Sequence, residues 1–230
     1  MSSSGRTAGF DPAYRGSNPC TSAIYISMIK DKFIIVDDFL PKDFYQLISS
    51  NLDEISWNYN HGTASPIHDD LGNFFFIHDI QYQKFFMFEF KKQIRQKIFD
   101  IDFKIVRCNL NLTLLDKSEY QTTAHIDFSY NHHVVLLYMN ETDGDTILYD
   151  SEWNTDKKEL LTNDERDSLP ILKRISPKPN RCVVFDGKLY HSYFFPKTHN
   201  RRIVVNCDII WASGEVGESQ QTVNLSPMAE

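Results

Sequence analysis

Apolar residues along the chain follow two periods, and the change between them falls near residue 103. Before it, Phe44, Leu47, Ile48 and Leu52 recur at helical spacing behind Pro41, a residue suited to the first turn of a helix. Phe85, Phe86, Phe88, Ile94 and Ile98, with Lys and Arg between them, predict a second amphipathic helix over 83–99. Ahead of both, 32–38 is a short apolar run with β-branched residues and reads as a buried strand. After residue 103 the period drops to two. Between Ile105 and Leu114, the residues Cys108, Leu110, Leu112 and Leu114 take one face, and Arg107, Asn109, Asn111 and Thr113 take the other.

Further strand-like runs cover 132–140, 146–149, 171–175, 181–186 and 202–211, the second of them after the turn Asp143-Gly144-Asp145. The stretch 58–80 reads as loops with one aromatic strand at 74–77, and 151–170 reads as a polar loop. Two helices followed by many antiparallel strands predict a mainly β chain, a double sheet backed by supporting helices. There is no internal repeat.

Composition narrows this picture without changing it. A chain of 230 residues with 41% hydrophobic positions can bury a sizeable core. The 17 Phe and 11 Tyr favour strands over a helical bundle. Residues 1–22, rich in Ser, Gly and Pro, predict a flexible arm, 212–230 a disordered tail, and 23–211 a single folded domain. The net charge of -7 argues against a broad nucleic-acid footprint, and the basic run 91–97 reads as a solvated helix face. Cys20, Cys108, Cys182 and Cys207 form no CxxC pair and read as neutral thiols in a reducing compartment. No apolar run approaches the about 20 residues that span a bilayer, and the N-terminus has no apolar signal core. The expectation is a soluble, intracellular, cytoplasmic protein.

The candidate chemistry starts at His125-Ile126-Asp127. On an extended segment, residues two apart point the same way, so this spacing offers one nitrogen and one oxygen to a single ion. His191 follows a strand-like run and the turn Gly187-Lys188, and Arg201-Arg202 comes soon after. Two histidines and one carboxylate form the facial triad of non-haem Fe(II) oxygenases. His61, His68 and His78 lie in a polar loop without ligand spacing and read as solvated or hydrogen-bonded, as does His199. His132 and His133 begin the next strand and read as packing or supporting groups.

These pieces, in this order, resemble the 2-oxoglutarate- and Fe(II)-dependent dioxygenase superfamily, and the early run from Phe33 to Pro41 looks like the entry strand and helix of its prolyl-4-hydroxylase-like members. The residues that carry the resemblance are His125-Ile126-Asp127, Leu137-Tyr138-Met139-Asn140 and Gly144-Asp145-Thr146-Ile147-Leu148-Tyr149. Val183-Val184-Phe185-Asp186 with His191, Arg202-Ile203-Val204-Val205-Asn206 and the early run from Phe33 to Pro41 complete the set. The resemblance implies a double-stranded β-helix (jelly-roll) core. It implies Fe(II) held by His125, Asp127 and His191, with 2-oxoglutarate and O₂ consumed to give succinate and CO₂. It also implies a cation for the distal carboxylate of 2-oxoglutarate.

Arg201 and Arg202 point to opposite faces of a strand, and spacing from His191 suits either. The phase through Arg202 carries Val204, Asn206 and Asp208, a polar side fit for a cosubstrate, so Arg202 is the expected anchor. Many relatives carry Ser or Thr two residues after this arginine; here the residue is Val204. Asn109, Asn111 and Tyr138 are the candidates to supply the missing hydrogen bond. Because Asp127 is retained, where some halogenating relatives carry a small residue, the expected reaction is hydroxylation of an unactivated C–H bond, or a desaturation or ring-forming variant. The expected substrate is a protein or peptide side chain such as proline; the alternatives are a free amino acid or small metabolite, or a metal-binding module without turnover.

Overall fold

The structure, a computed structural model, describes residues 32–61, 74–118 and 120–211. The expected arm at 1–22 and tail at 212–230, together with Cys20 and His68, lie outside the described residues. Ten strands and three α-helices form the described part. Strand β1 (Phe33–Val36) leads into helix α1 (Lys42–Ser49) and a 3₁₀ turn, Leu52–Glu54. Then come β2 (Asn58–His61), β3 (Phe74–Asp79), α2 (Lys84–Lys97) and the long β4 (Phe103–Leu114). The remainder is β5 (His133–Tyr138), β6 (Thr146–Glu152), α3 (Asn163–Asp167), β7 (Ile171–Ile175), β8 (Cys182–Asp186), β9 (Leu189–Tyr193) and β10 (Arg201–Trp211).

The strands make two antiparallel sheets. The larger runs β1-β8-β5-β10-β4-β3-β2, the smaller β7-β6-β9. The smaller sheet continues past β9 through single bridges, Gln121 to Phe194 and His125 to His191, so the metal-motif segment lies beside β9. Side-chain alternation sorts the core into layers. On β10, Ile203, Val205, Cys207 and Ile209 join Cys108, Leu110 and Leu112 of β4 beneath Phe86, Phe90 and Ile94 of α2. Val204 faces the other way and packs with Tyr138, Leu148 and Phe185 between the sheets. Strands β5 and β8 contribute to both layers, which is why their sequences are nearly continuous apolar runs. A third cluster, with Ile126, Ile147, Tyr149 and Tyr190, covers the far side of the smaller sheet.

The mainly β architecture with supporting helices is the one the residue pattern predicts. Several local readings need correction. Residues 58–61 form β2, paired with β3, where the composition predicts a loop; Tyr59 packs edge-on against Phe76 across the pair. In α2, Phe85 and Phe88 are exposed while Phe86, Phe90 and Ile94 are buried, so the aromatic run lies on two faces of the helix. Leu47 of α1 is also exposed. The stretch 151–170 is not all loop. It contains α3, closed by a capping box in which the Thr162 hydroxyl accepts from the Glu165 amide and Glu165 accepts from the Thr162 amide. Cys108, Cys182 and Cys207 are free and buried, and burial pushes the Cys182 and Cys207 thiols up, so they stay neutral. No described helix is long and apolar enough to cross a membrane.

One close approach locks the turn between β8 and β9. The Gly187 amide donates to the His132 carbonyl at 3.0 Å, and a Cβ on Gly187 would sit 2.2 Å from His132 Nε2. His132 is buried, so its ring has little room to retreat. Gly187→Ala is expected to destabilise the fold by about 1–3 kcal/mol through this overlap. A lower urea midpoint would show it; an unchanged midpoint would mean that the ring moves freely.

Candidate metal centre

His125, Asp127 and His191 come together. Their candidate ligand atoms all lie within 4.8 Å of one another. The bridge between His125 and His191 explains the meeting: each amide donates to the other's carbonyl at 3.0 Å, which sets the rings side by side with centroids 4.5 Å apart. Asp127 follows on the same face as His125, as the two-residue spacing requires. Its Oδ2 lies 3.5 Å from His191 Nε2.

The hydrogen bonds present these groups as ligands. His125 Nδ1 faces the Thr123 carbonyl at 3.1 Å, and His191 Nδ1 faces the Leu189 carbonyl at 3.1 Å. A carbonyl only accepts, so each Nδ1 carries the proton and each Nε2 keeps a lone pair toward the centre. Asp127 Oδ1 accepts from Arg107 Nη2 at 2.6 Å, while Oδ2 is buried with no hydrogen-bond partner. Two imidazole nitrogens and one bare carboxylate oxygen converging at this distance fit a divalent first-row metal.

The charge states agree. Burial and the neighbouring His191 hold His125 down at about 4, so it is neutral at pH 7. Burial opposes ionisation of Asp127, but His191 and the Arg107 guanidinium outweigh it and keep the carboxyl well below the usual range. Nearby His133, packed against Phe99 and Trp211, is also held at about 4 by burial. Both histidines bind fewer protons folded than unfolded, where their value is near 6.5. The contribution of these two histidines therefore falls as pH drops from about 6.5 toward 4, each lowered value being worth on the order of 3 kcal/mol, and buried Asp208, pushed up by burial and by Asp127, offsets part of it. Thermal melts of metal-free protein from about pH 7.5 to 4.5 should show this loss, and a melting point that holds constant down to about pH 5 would contradict it.

A second polar group lies at the other end of the inner face. Arg202 is 3% exposed; its Nε donates to the Gly144 carbonyl and its Nη2 to Thr146 Oγ1, both at 2.9 Å. The guanidinium lies over the rings of Tyr193 and Tyr138. Tyr138 is fully buried and its hydroxyl donates to Thr146 Oγ1 at 2.7 Å. Gly144 is required here, since a Cβ would meet Arg202 Cδ at 2.7 Å. Arg201 points outward to Asp53, with 40% of its side chain exposed. Between the two groups, Asn111 is level with Val204 and Asn109 with Asn206 on the same sheet face. Asn111 Oδ1 and Asn206 Oδ1 are buried without partners.

Four contributors have no signal in residue spacing that assigns them to the site. Thr146 Oγ1 accepts from Arg202 Nη2 at 2.9 Å and reaches it from β6, not from a neighbouring position on β10. Tyr193 stacks on Arg202 because it sits two residues after His191 on β9. Half-buried Arg107 and fully buried Asp208 pair beside Asp127, with Arg107 Nε donating to Asp208 Oδ2 at 2.8 Å. Both stand on polar strand faces, but nothing in spacing couples residues 101 positions apart. Of the other histidines, His199 is 43% exposed and paired with Asp143 at 3.1 Å. His78 contacts the Ser56 carbonyl, away from the centre, and the His61 side chain lies outside what is described.

No family model and no curated protein sequence matches the chain. Solved structures do. The α-ketoglutarate-dependent epimerase SnoN from nogalamycin biosynthesis aligns with a TM-score of 0.60 over 84% of this chain and 83% of its own, at 10% identity. A prolyl hydroxylase from Trichoplax adhaerens, solved with a hypoxia-inducible-factor peptide, aligns at 0.55 over 82% and 88%, with 12% identity. HygX from Streptomyces hygroscopicus, solved with nickel and 2-oxoglutarate, aligns at 0.55 over 82% and 85%, with 9% identity. The chain has the fold of the 2-oxoglutarate/Fe(II) oxygenases. The larger and smaller sheets described above are thus the two faces of a double-stranded β-helix, with the triad and Arg202 both inside it.

Proposed function

We propose that the protein is an Fe(II)- and 2-oxoglutarate-dependent dioxygenase that hydroxylates an unactivated C–H bond. The observation that carries this reading is the pairing, inside one oxygenase fold, of a ligand triad with a buried arginine one short step away. His191 and Tyr193 are two residues apart on β9, about 7 Å along the strand. The Arg202 guanidinium lies 4.6 Å from the Tyr193 ring centre. That offset suits a five-carbon dicarboxylate with one end at the triad and the other at the arginine.

When bound, Fe(II) with 2-oxoglutarate and O₂ supplies the oxidising power, yielding succinate and CO₂ and inserting one oxygen into substrate. The chain's own residues do the rest. His125, Asp127 and His191 would hold the ion from one side and leave the opposite positions open. Arg202 would pair with the distal carboxylate, and Thr146, already tied to Tyr138, fixes the guanidinium plane. Asn109, Asn111 and Asn206 line the path between, with amide groups able to present a donor inward. Val204, Leu148 and Phe185 keep water out from below.

For the substrate we favour a protein or peptide side chain such as proline, because two prolyl hydroxylases share this fold, the one from Trichoplax adhaerens and one from Pseudomonas putida. A small-metabolite substrate is the second reading, favoured by SnoN and the carbocyclase SnoK, which also share it. Succinate release from 2-oxoglutarate, screened over peptides, amino acids and small metabolites with mass spectrometry for a gain of one oxygen, separates the two. Absence of Fe(II)-dependent succinate, even uncoupled from substrate, would favour a metal-binding module without turnover.

A further inference from the structure

The inner end of β4 and β10 holds charged groups that a three-ligand metal site does not need. Arg107 bridges two carboxyl groups, donating to Asp127 Oδ1 at 2.6 Å through Nη2 and to Asp208 Oδ2 at 2.8 Å through Nε. Asp208 is fully buried, and its strand position is fixed by direct pairing with Arg107 across the β10–β4 ladder. The guanidinium plane is covered by the Phe128 ring, with its carbon 5.0 Å from the ring centre. Phe128 in turn stacks on Tyr130 at 4.9 Å. Arg107 is therefore anchored on two sides and cannot swing away from Asp127.

Asp127 brings Oδ2 to within 3.5 Å of His191 Nε2, and left alone a carboxylate can bind an ion through one oxygen or both. Here one oxygen is occupied by a charge-assisted hydrogen bond of the strong class, and the other is bare. We propose that Arg107 is a positioning residue that restricts Asp127 to one-oxygen ligation, with Asp208 fixing Arg107 in place. The inference rests on the metal-centre reading above. Its consequence is a count: three protein atoms on the ion leave three further positions, whereas a chelating Asp127 would leave two. Two positions could take the 2-oxoglutarate chelate but would leave none for O₂.

Mn(II) relaxation of water protons counts those positions in solution, without turnover. In the full chain loaded with Mn(II) alone, the inner-sphere relaxivity per bound ion reports exchangeable waters. Arg107→Gln is expected to lower it by about a third, from three waters to two. Asp208→Leu, which removes the acceptor that anchors Arg107 at similar volume, should lower it by less. Loss of Mn(II) binding by folded Arg107→Gln overturns the clamp, since freeing the second oxygen and removing a nearby positive charge would each tighten a cation. Relaxivity per ion equal to wild type in Arg107→Gln overturns it. Should that variant fail to fold, equality in Asp208→Leu overturns it instead. If wild-type protein binds no Mn(II), the metal-centre reading falls and the clamp with it; a wild type that binds normally beside an unchanged variant removes the clamp alone.

Discussion

Asp127→Ala is expected to abolish succinate formation and to weaken divalent-metal binding by more than the about 10–100-fold typical of changes around a site's outer shell. Three effects add. The centre loses its only anionic ligand, so its attraction for a dication drops. It loses the bare Oδ2 atom, a buried oxygen with no hydrogen-bond partner. Finally, Arg107 keeps its charge: Asp127 and Asp208 together hold it protonated against burial, and with Asp127 gone a guanidinium faces the ion with one carboxylate on its far side. Asp127→Asn isolates part of this. It preserves shape and an oxygen donor but not the charge, and should bind metal more weakly than wild type and more tightly than the alanine variant. The measurement is titration of chelator-treated protein with Mn(II) or Co(II), with a thermal melt of each variant to show that it folds. Wild-type affinity in folded Asp127→Ala would contradict the metal centre.

Much of this site is legible in the order and spacing of its residues. Alternation on β4 and β10 places polar residues together on one face, and the folded chain keeps that division. Arg202, Val204, Asn206 and Asp208 turn between the sheets, and Ile203, Val205, Cys207 and Ile209 turn beneath the helices. The two-residue spacing of His125 and Asp127 puts both on one side, and β9 supplies His191 opposite. Period-two and local spacing are short-range signals, so they survive in sequence. What they miss is contact across the fold. Thr146 reaches Arg202 from another sheet, and Arg107 meets Asp208 and Asp127 only once β4, β10 and the motif segment are assembled. The aromatic run of α2 misleads for a related reason: helix period alone does not say which Phe faces the core, and the exposed pair Phe85 and Phe88 sits on the outer side. Residues 58–61 read as loop because polar Asn dominates an edge strand that is half solvated.

Arg202→Met should raise the 2-oxoglutarate KM by roughly 100-fold or more while leaving metal binding intact, because two charge-assisted hydrogen bonds of about 1.5–3 kcal/mol each are lost toward the distal carboxylate. Methionine fills a similar apolar volume but offers no donor and no charge. The change also has a structural cost, because the Gly144 carbonyl and Thr146 Oγ1 lose the donors that now satisfy them. Tyr138 still donates to Thr146, so only the carbonyl is left without a partner, and the destabilisation should stay within about 1–3 kcal/mol. Arg202→Lys keeps the charge but not the planar fork, and stacking on Tyr138 and Tyr193 is weakened, so its KM should fall between the two. The control is the neighbour: Arg201→Met removes an exposed ion pair with Asp53 on the opposite face and should leave the 2-oxoglutarate dependence unchanged. If Arg201→Met raised KM and Arg202→Met did not, the anchor would have to lie on the helix side of β10. That side is packed with Ile203, Val205, Cys207 and Ile209 and has no room for a dicarboxylate.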